Sequence, residues 1–586
     1  MNRLARGSSL LIATAIIAAC AAQRDEGKAV GDRQGPDVQQ PATQEYDARV
    51  DKAEERVLGE VSTDSTQVNR AIAPPASVNA TLAKTALMAG ASSVLPTYQQ
   101  PTNTERYQHA DDNPVHLVAD QPISTFSIDV DTGAYANVRR FLNAGQLPPQ
   151  DAVRVEEMLN YFDYRYVPPA SRDVPFRVAT EVAPAPWNPQ ALLMKIGIKG
   201  FEVAAAQRPP ANLVFLIDVS GSMQSPDKLP LLKNAFRLLT DQLTARDRVS
   251  MVVYAGSSGV VLEPTAGDQK HKIREAIDRL EAGGSTNGAE GIERAYQLAH
   301  DSQVKGGINR VVLATDGDFN VGVVDFEALV DMAEQQRAGG VALTTLGFGT
   351  GNYNDQLLER LADAGNGNYA YVDTLSEARK VLVTELSSTL FTIAKDVKIQ
   401  VEFNPAAVLE YRLIGYENRM LAREDFNNDK VDAGEIGAGH RITALYEVVP
   451  VGRTGRLDPL RYGQQKPAAS DARASNELAF VRLRYKKPDA DTSQLLEYPI
   501  AKSSVATLER LSPDFRFAAS VAAFGQLLRG GKYVGNFGYD DVARLARGAI
   551  DEDPEGYRRE FLSLVQLADS LTPTSADTAK VSDIAH

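Results

Sequence analysis

The sequence predicts an α/β fold, a doubly wound parallel sheet inserted in a β-sandwich, with helical N- and C-terminal regions. Three observations predict it. Across residues 209–394, short strands of buried type alternate with amphipathic helices, the pattern of a parallel sheet covered on both faces. On either side of that stretch the apolar period falls to two, as in antiparallel sheets. Between them, the apolar run Leu213, Val214, Phe215, Leu216 and Ile217 ends abruptly in Asp218, Ser220 and Ser222. Such a run fits a strand buried on both faces, and open α/β sheets bind ligands beyond the carboxyl ends of their strands.

The elements follow in order. A helical run through Arg139 and Phe141 comes after Ser127-Ile128-Asp129-Val130-Asp131-Thr132-Gly133, and Val155, Met158, Leu159 and Phe162 form one face of a second helix. Phe176, Val178, Thr180 and Val182, then Met194, Ile196 and Ile198, alternate with polar or small residues as half-buried strands. In the α/β stretch, a helix with Leu229, Leu232, Phe236, Leu239 and Leu243 inward precedes a strand at 249–254 and a helix at 272–280. The glycine-flanked loop at 283–288, a helix through Ala299 and a strand at 311–314 come next; a further helix, a strand at 341–348, a helix near 356–362 and a strand at 369–372 complete the unit. Val397, Ile399, Val401 and Phe403, and later Val481, Leu483 and Tyr485, return to the period of two. These flanks predict one sandwich interrupted by the α/β unit; two unrelated small sheets are the alternative. Ser512 and Pro513 start a helix striped by Phe517, Val521, Phe524 and Leu528, and helices near 539–549 and 554–571 follow.

A chain of 586 residues is too long for one core. The expected divisions are a signal at 1–19, a lipidated cysteine and disordered tether at 20–114, a helical segment with the first sandwich strands at 115–208, the α/β unit at 209–394, the rest of the sandwich at 395–502, C-terminal helices at 503–571 and a tail at 572–586. The net charge of −14 argues against a nucleic-acid or anionic-lipid surface. Cys20 is the single cysteine and follows Arg3, Arg6 and a short apolar run. That run is a secretory signal, too short to span a bilayer. Ile17-Ala18-Ala19-Cys20 resembles a bacterial lipobox, which implies lipidation of Cys20 and attachment to the membrane through acyl chains alone. Ala21, in place of Asp, resembles the outer-membrane sorting pattern, so the expected location is the cell envelope, as an outer-membrane lipoprotein facing periplasm or surface. A tether of about ninety residues would span roughly 50 Å.

The chemistry is concentrated in Asp218-x-Ser220-x-Ser222, Thr286 in its glycine-flanked loop, and Asp316 at a strand end. These are hard oxygen donors, which favour Mg²⁺, or Ca²⁺ or Mn²⁺, over zinc or copper. A lone Asp-x-Ser-x-Ser also caps helices. Taken together, the five positions resemble the metal-ion-dependent adhesion site of von Willebrand factor type A (vWA) domains, and Gly347-Phe348-Gly349 and Gly365-Asn366-Gly367-Asn368-Tyr369 look like the last part of that fold. Residues 128–133 and Asp432-Ala433-Gly434-Glu435-Ile436-Gly437-Ala438-Gly439-His440 resemble bacterial YfbK-type lipoproteins. The resemblance implies direct coordination by Ser220, Ser222 and Thr286, with Asp218 and Asp316 ligating or holding waters. A partner protein's acidic side chain would complete the shell. The alternative is a structural or assembly-helper subunit in which the metal only stabilises the fold.

Two other acidic stretches invite a metal reading. Asp129 and Asp131 faintly echo the Asp218 turn, although a capped turn explains them better. Asp425-Phe426-Asn427-Asn428-Asp429 starts like an EF-hand loop, but Lys430 stands at the sixth place and Ile436 at the twelfth. No catalytic residues are expected. There is no His-Glu-x-x-His, the six histidines are scattered, no Gly-x-Ser-x-Gly occurs, and Gly530-Gly531-Lys532-Tyr533 is not a Walker loop.

Overall fold

The computed structural model describes residues 103–284, 288–317, 326–458, 476–507, 510–550 and 552–573. Cys20, the signal, and the tether up to 102 lie outside the described residues, as do Thr286 and Asp318. Ahead of the α/β unit come β1 (His116–Leu117), β2 (Ile123–Ser127), α1 (Gly133–Asn143), α2 (Val155–Asn160), β3 (Phe176–Ala185) and β4 (Asn188–Gly200). The unit itself holds β5 (Ala211–Asp218), α3 (Leu229–Gln242), β6 (Arg248–Tyr254), β7 (Ser258–Ala266), α4 (Lys270–Asp278) and α5 (Gly288–Asp301). It continues through β8 (Ile308–Thr315), α6 (Phe326–Ala338), β9 (Ala342–Phe348), α7 (Asp355–Ala364), β10 (Tyr369–Val372), α8 (Leu375–Arg379) and α9 (Leu386–Leu390). After it follow β11 (Thr392–Phe403), β12 (Val408–Ile414), β13 (Ile436–Gly437), β14 (Arg441–Pro450), β15 (Glu477–Lys486) and β16 (Ser493–Ala501). The chain then turns helical in α10 (Pro513–Leu528), α11 (Tyr539–Arg547) and α12 (Tyr557–Leu571).

The α/β sheet runs β10-β9-β8-β5-β6-β7, parallel except for the antiparallel edge strand β7. The apolar pattern does not single out β7, because an edge strand is only partly buried and carries a weak alternation. β5 lies at the centre and is buried along its whole length, so a continuous apolar run suits it. Helices α3, α4 and α8 pack on one face through Leu232, Phe236, Ile273 and Ala378; α5, α6 and α7 cover the other through Ile292, Leu329 and Leu358.

The flanking strands make one sandwich. One sheet runs β1-β12-β14-β4-β3, and the other runs β13-β11-β15-β16 with β2 also on β11. β4, from before the α/β unit, pairs with β14, from after it, with Gly197 opposite Thr443. Met194, Ile196 and Ile198 of one sheet share a core with Ile399, Val401 and Leu483 of the other. Each sheet therefore needs strands from both sides of the unit, and the reading as two unrelated sheets falls.

The strands expected to be half-buried are covered on both faces at β4. Lys195 and Lys199, which the alternation assigns to solvent, are buried. Lys195 meets Glu181 at 2.5 Å, and its ammonium lies 5.6 Å from the centre of the Phe515 ring on α10. The cover is a helical layer: α1, α2, α10, α11 and α12 share a core with Leu193 and Leu445 of the sheet, with Phe162 at 4.9 Å from the ring of Phe517 and 5.8 Å from that of Phe561. Arg139 of α1 ties this layer to the α/β unit, donating to Asp373 and Glu377 as well as to Glu560 of α12. Ser512 caps α10, its Oγ accepting from Phe515 N at 3.0 Å and donating to Glu181 at 3.0 Å. Ser512→Ala is expected to lower stability by about 1 kcal/mol, seen as a shift in urea midpoint with an unchanged slope.

The folded body begins before Val115. Thr104 N donates to Gly351 O at 2.8 Å, Arg106 bridges to Asn354, and Glu105 takes two hydrogen bonds from Arg140 at 3.0 Å. This stretch is polar and docks through backbone and charge, so an apolar pattern does not reveal it.

Candidate metal centre

The turn after β5 starts from Asp218, whose side chain is buried and held on both oxygens. Oδ1 accepts from Ser220 N at 2.8 Å and Oδ2 accepts from Thr315 Oγ1 at 2.9 Å. Burial pushes its pKa up to about 6, the hydrogen bonds from Ser220 pull the other way, and Asp316 nearby adds to the rise. The Ser220 and Ser222 hydroxyl oxygens lie 2.9 Å apart, with Ser220 buried and Ser222 exposed. Adjacent ligands on an octahedral ion with bonds near 2.1 Å stand about 3.0 Å apart. The two hydroxyls hydrogen-bond to each other, and their spacing also matches one edge of a coordination octahedron. Gly221 N donates to Gly284 O at 3.1 Å and Gly283 N to Val219 O at 2.8 Å, lashing the loop that leads to Thr286 against this turn.

Asp316 follows β8, fully buried beside Asp218. Its Oδ2 accepts from Lys228 Nζ at 2.9 Å and from Asn352 Nδ2 at 3.1 Å, and Lys228 also donates to Asn352 Oδ1 at 2.8 Å. The structure therefore brings Asp218, Ser220, Ser222 and Asp316 together, while Thr286 lies outside the described residues. Lys228, Asn352 and Thr315 belong to the site too, and sequence reasoning missed them. Lys228 had a signal: it stands immediately before α3, four and eight residues ahead of the buried Leu232 and Phe236 that face inward. Gly349 admits it, since at φ +78° a Cβ there would lie 2.3 Å from the lysine stem. Two buried carboxylates, the buried Ser220 hydroxyl and the exposed Ser222 hydroxyl form a hard-oxygen donor set, which fits Mg²⁺, Ca²⁺ or Mn²⁺.

The other acidic stretches have structural work. Asp129 Oδ1 accepts from Asp131 N at 2.8 Å, closing a turn, and Asp131 Oδ1 accepts from Tyr369 N at 2.9 Å. Neither side chain caps α1; that helix is met by Glu157, which accepts from Ala134 N at 2.8 Å. Around them Arg154 and Arg419 answer Glu157, Asp355, Glu359 and Asp363, so this buried group ties α2, α7 and the sandwich together. In the EF-hand-like stretch, Lys398 takes the carbonyls of Asp425 and Asn428, Lys486 takes that of Asp429, and the Asp429 carboxylate accepts from Ser493 and Arg484. Ammonium groups hold the loop carbonyls, and the side chains of Asp429 and Asn427 are turned to Arg484.

Known proteins place the chain. Residues 212–385 match the von Willebrand factor type A domain, residues 101–195 match a von Willebrand factor model, and residues 388–571 match the C-terminal region of YfbK. YfbK of Escherichia coli K12 is 51% identical over 480 residues, covering 80% of this chain and 82% of that protein. Human inter-alpha-trypsin inhibitor heavy chain H3 is 26% identical over 260 residues, 41% of this chain and 28% of its own length. Among solved structures, a von Willebrand factor type A protein from Catenulispora acidiphila aligns over 67% of this chain and 96% of its own, with 16% identity and a TM-score of 0.38. With a vWA domain inserted in its sandwich and a YfbK-type region after it, the chain belongs to the YfbK family of vWA-domain proteins.

Proposed function

We propose that this protein is a non-enzymatic lipoprotein of the cell envelope that binds a protein partner through a divalent cation. Asp218, Ser220, Ser222, Thr286 and Asp316 would hold Mg²⁺, or Ca²⁺ or Mn²⁺, and a partner's carboxylate would complete the shell. The observation that carries this is the 2.9 Å pair of hydroxyls, Ser220 buried and Ser222 exposed, on the turn that buried Asp218 holds, with buried Asp316 beside it. When bound, the ion supplies a positive centre that an acidic side chain can reach. The residues here do the rest. Asp218 orients the Ser220 turn through its backbone N–H, Thr315 holds the second carboxylate oxygen, and Lys228 and Asn352 position Asp316. Cys20 would carry the lipid anchor to the outer membrane, and the tether would let the body reach a partner in the periplasm or at the surface. Isothermal titration of the metal-free chain with Mg²⁺, followed by capture of envelope proteins in Mg²⁺ and in EDTA, tests the reading; capture equal in both sinks it.

A second reading rests on Lys228. Its ammonium already ties α3 to Asp316, so the ion would add rigidity to a turn the protein has partly closed, and contacts would come from other surfaces. Lys228→Met discriminates. Losing a buried positive charge beside the site is expected to tighten Mg²⁺ binding on the order of tenfold, about 1.4 kcal/mol. The EDTA-treated variant is expected to lose about 1–3 kcal/mol of stability, because Asp316 loses a charged donor. On the adhesive reading, capture strengthens with Mg²⁺ affinity; on the second reading only thermal stability responds.

A further inference from the structure

The EF-hand-like stretch ends in two acids that its front half does not use, Asp432 and Glu435. They converge on Asp396, which sits where β11 leaves the α/β unit. The pairing of β11 with β15 shifts register between Lys395 and Lys398, and Asp396 adopts φ +50°, so a bulge turns its side chain toward the loop. Val397 N donates to Gly434 O at 3.0 Å and Ala433 N to Asp396 Oδ1 at 3.3 Å, locking loop to bulge. One oxygen from each of Asp396, Asp432 and Glu435 lies within 4.8 Å of the other two.

The partners of these carboxylates are unevenly shared. Asp396 Oδ2 meets Lys486 Nζ at 2.8 Å, and Asp432 Oδ2 meets Arg337 Nη1 at 2.5 Å. Glu435 is 8% exposed, its Oε1 is buried without a hydrogen-bond partner, and it forms no ion pair among the described residues. A buried carboxylate held against two others with an oxygen unanswered is costly while ionised, so it keeps a proton or takes a cation that serves all three. Its pKa is driven well up by burial and by the charges of Asp432 and Asp396. A cavity of about 240 Å³, lined by Ser127, Asp363, Arg419, Asp432 and Glu435, opens on two of the three carboxylates, and Asp432 is half exposed.

We propose that Asp396, Asp432 and Glu435 form a Ca²⁺ site distinct from the Asp218 centre, with Glu435 as the inner ligand. The donors are all oxygens, and the spread of three carboxylates on an irregular loop suits an ion that takes six to eight oxygens at 2.3–2.6 Å, hence up to about 5 Å apart across the ion. Waters in the cavity would supply the remaining positions. The site lies where the α/β unit rejoins the sandwich, and Arg337 of α6 already reaches Asp432 there. Calcium would brace that junction.

The test is a calorimetric Ca²⁺ titration of the full chain after removal of divalent ions, at pH 7.5. Wild type is expected to bind one more Ca²⁺ per chain than Glu435→Gln, and the same loss of one is expected when Glu435→Gln is made in an Asp218→Ala chain. Ca²⁺ should raise the thermal midpoint of the Asp218→Ala chain and leave that of the double variant unmoved. Glu435→Gln is isosteric and removes a group whose ionised form is disfavoured there, so without Ca²⁺ it should melt at or above wild type. Equal Ca²⁺ stoichiometry with and without Glu435→Gln overturns the proposal, whatever the Asp218 centre does. Should Glu435→Gln fail to fold, Asp432→Asn, at a half-exposed position, decides by the same count.

Discussion

Arg419→Ala is expected to destabilise the folded body by about 3–5 kcal/mol at neutral pH, because it removes one partner from a buried ionic group. Arg419 pairs with Asp129 at 3.2 Å, Glu359 at 3.1 Å and Asp131 at 3.6 Å, and also with Asp363. Two of these acids come from the segment before α1 and two from α7, while Arg419 itself comes from the loop after β12. The side chain therefore ties three regions together. The pH dependence has a definite sign. Burial raises the pKa of Asp131, Glu157 and Asp363, and that of Glu359 to about 7, with arginine charge opposing the rise. A carboxylate whose folded pKa is raised binds its proton more tightly in the folded state, so its contribution becomes unfavourable as pH rises from the unfolded value through the folded one. Without Arg419 the pKa values of Asp131, Glu359 and Asp363 rise further. The loss on mutation should then be smaller at pH 5 than at pH 7.5, measured by urea unfolding at both. A loss as large at pH 5 would show that charge is not what Arg419 answers.

Asp218→Ala is expected to weaken Mg²⁺ binding by about a hundredfold or more, near the upper end of what support of a metal site is worth, and to abolish capture of a partner. The fold should survive. The ionised form of Asp218 is already disfavoured by burial, and what the variant gives up is acceptance from Ser220 N and Thr315 Oγ1. That costs about 1–3 kcal/mol. Mg²⁺ calorimetry and thermal unfolding of the same preparation separate the two effects. Undiminished capture by a folded Asp218→Ala chain would remove the metal from the binding mechanism.

Much of the architecture could be read because local rules govern it. The buried run of β5, the stripe Leu229, Leu232, Phe236 and Leu239, and the Ser512-Pro513 start of α10 each express a period or a cap within one segment. Asp218, Ser220 and Ser222 share one turn, so their meeting follows from the chain itself; Asp316 joins them because parallel neighbours β5 and β8 end side by side. Positions set by distant contacts were harder to read. Residues 103–106 look like tether until they pair with residues 351–354, and Lys195 looks solvent-facing until α10 covers it.

Hydrophobic period and turn chemistry act over a few residues, so the α/β unit between flanking antiparallel strands, and the oxygen-rich turn at its centre, are written locally along the chain. Long-range packing is what pairs β4 with β14, sets Lys228 and Asn352 on Asp316, gathers acids from two other regions around Arg419, and brings Glu435 against Asp396. A buried charge is placed by partners far away along the chain, and no local period records which partner it will meet.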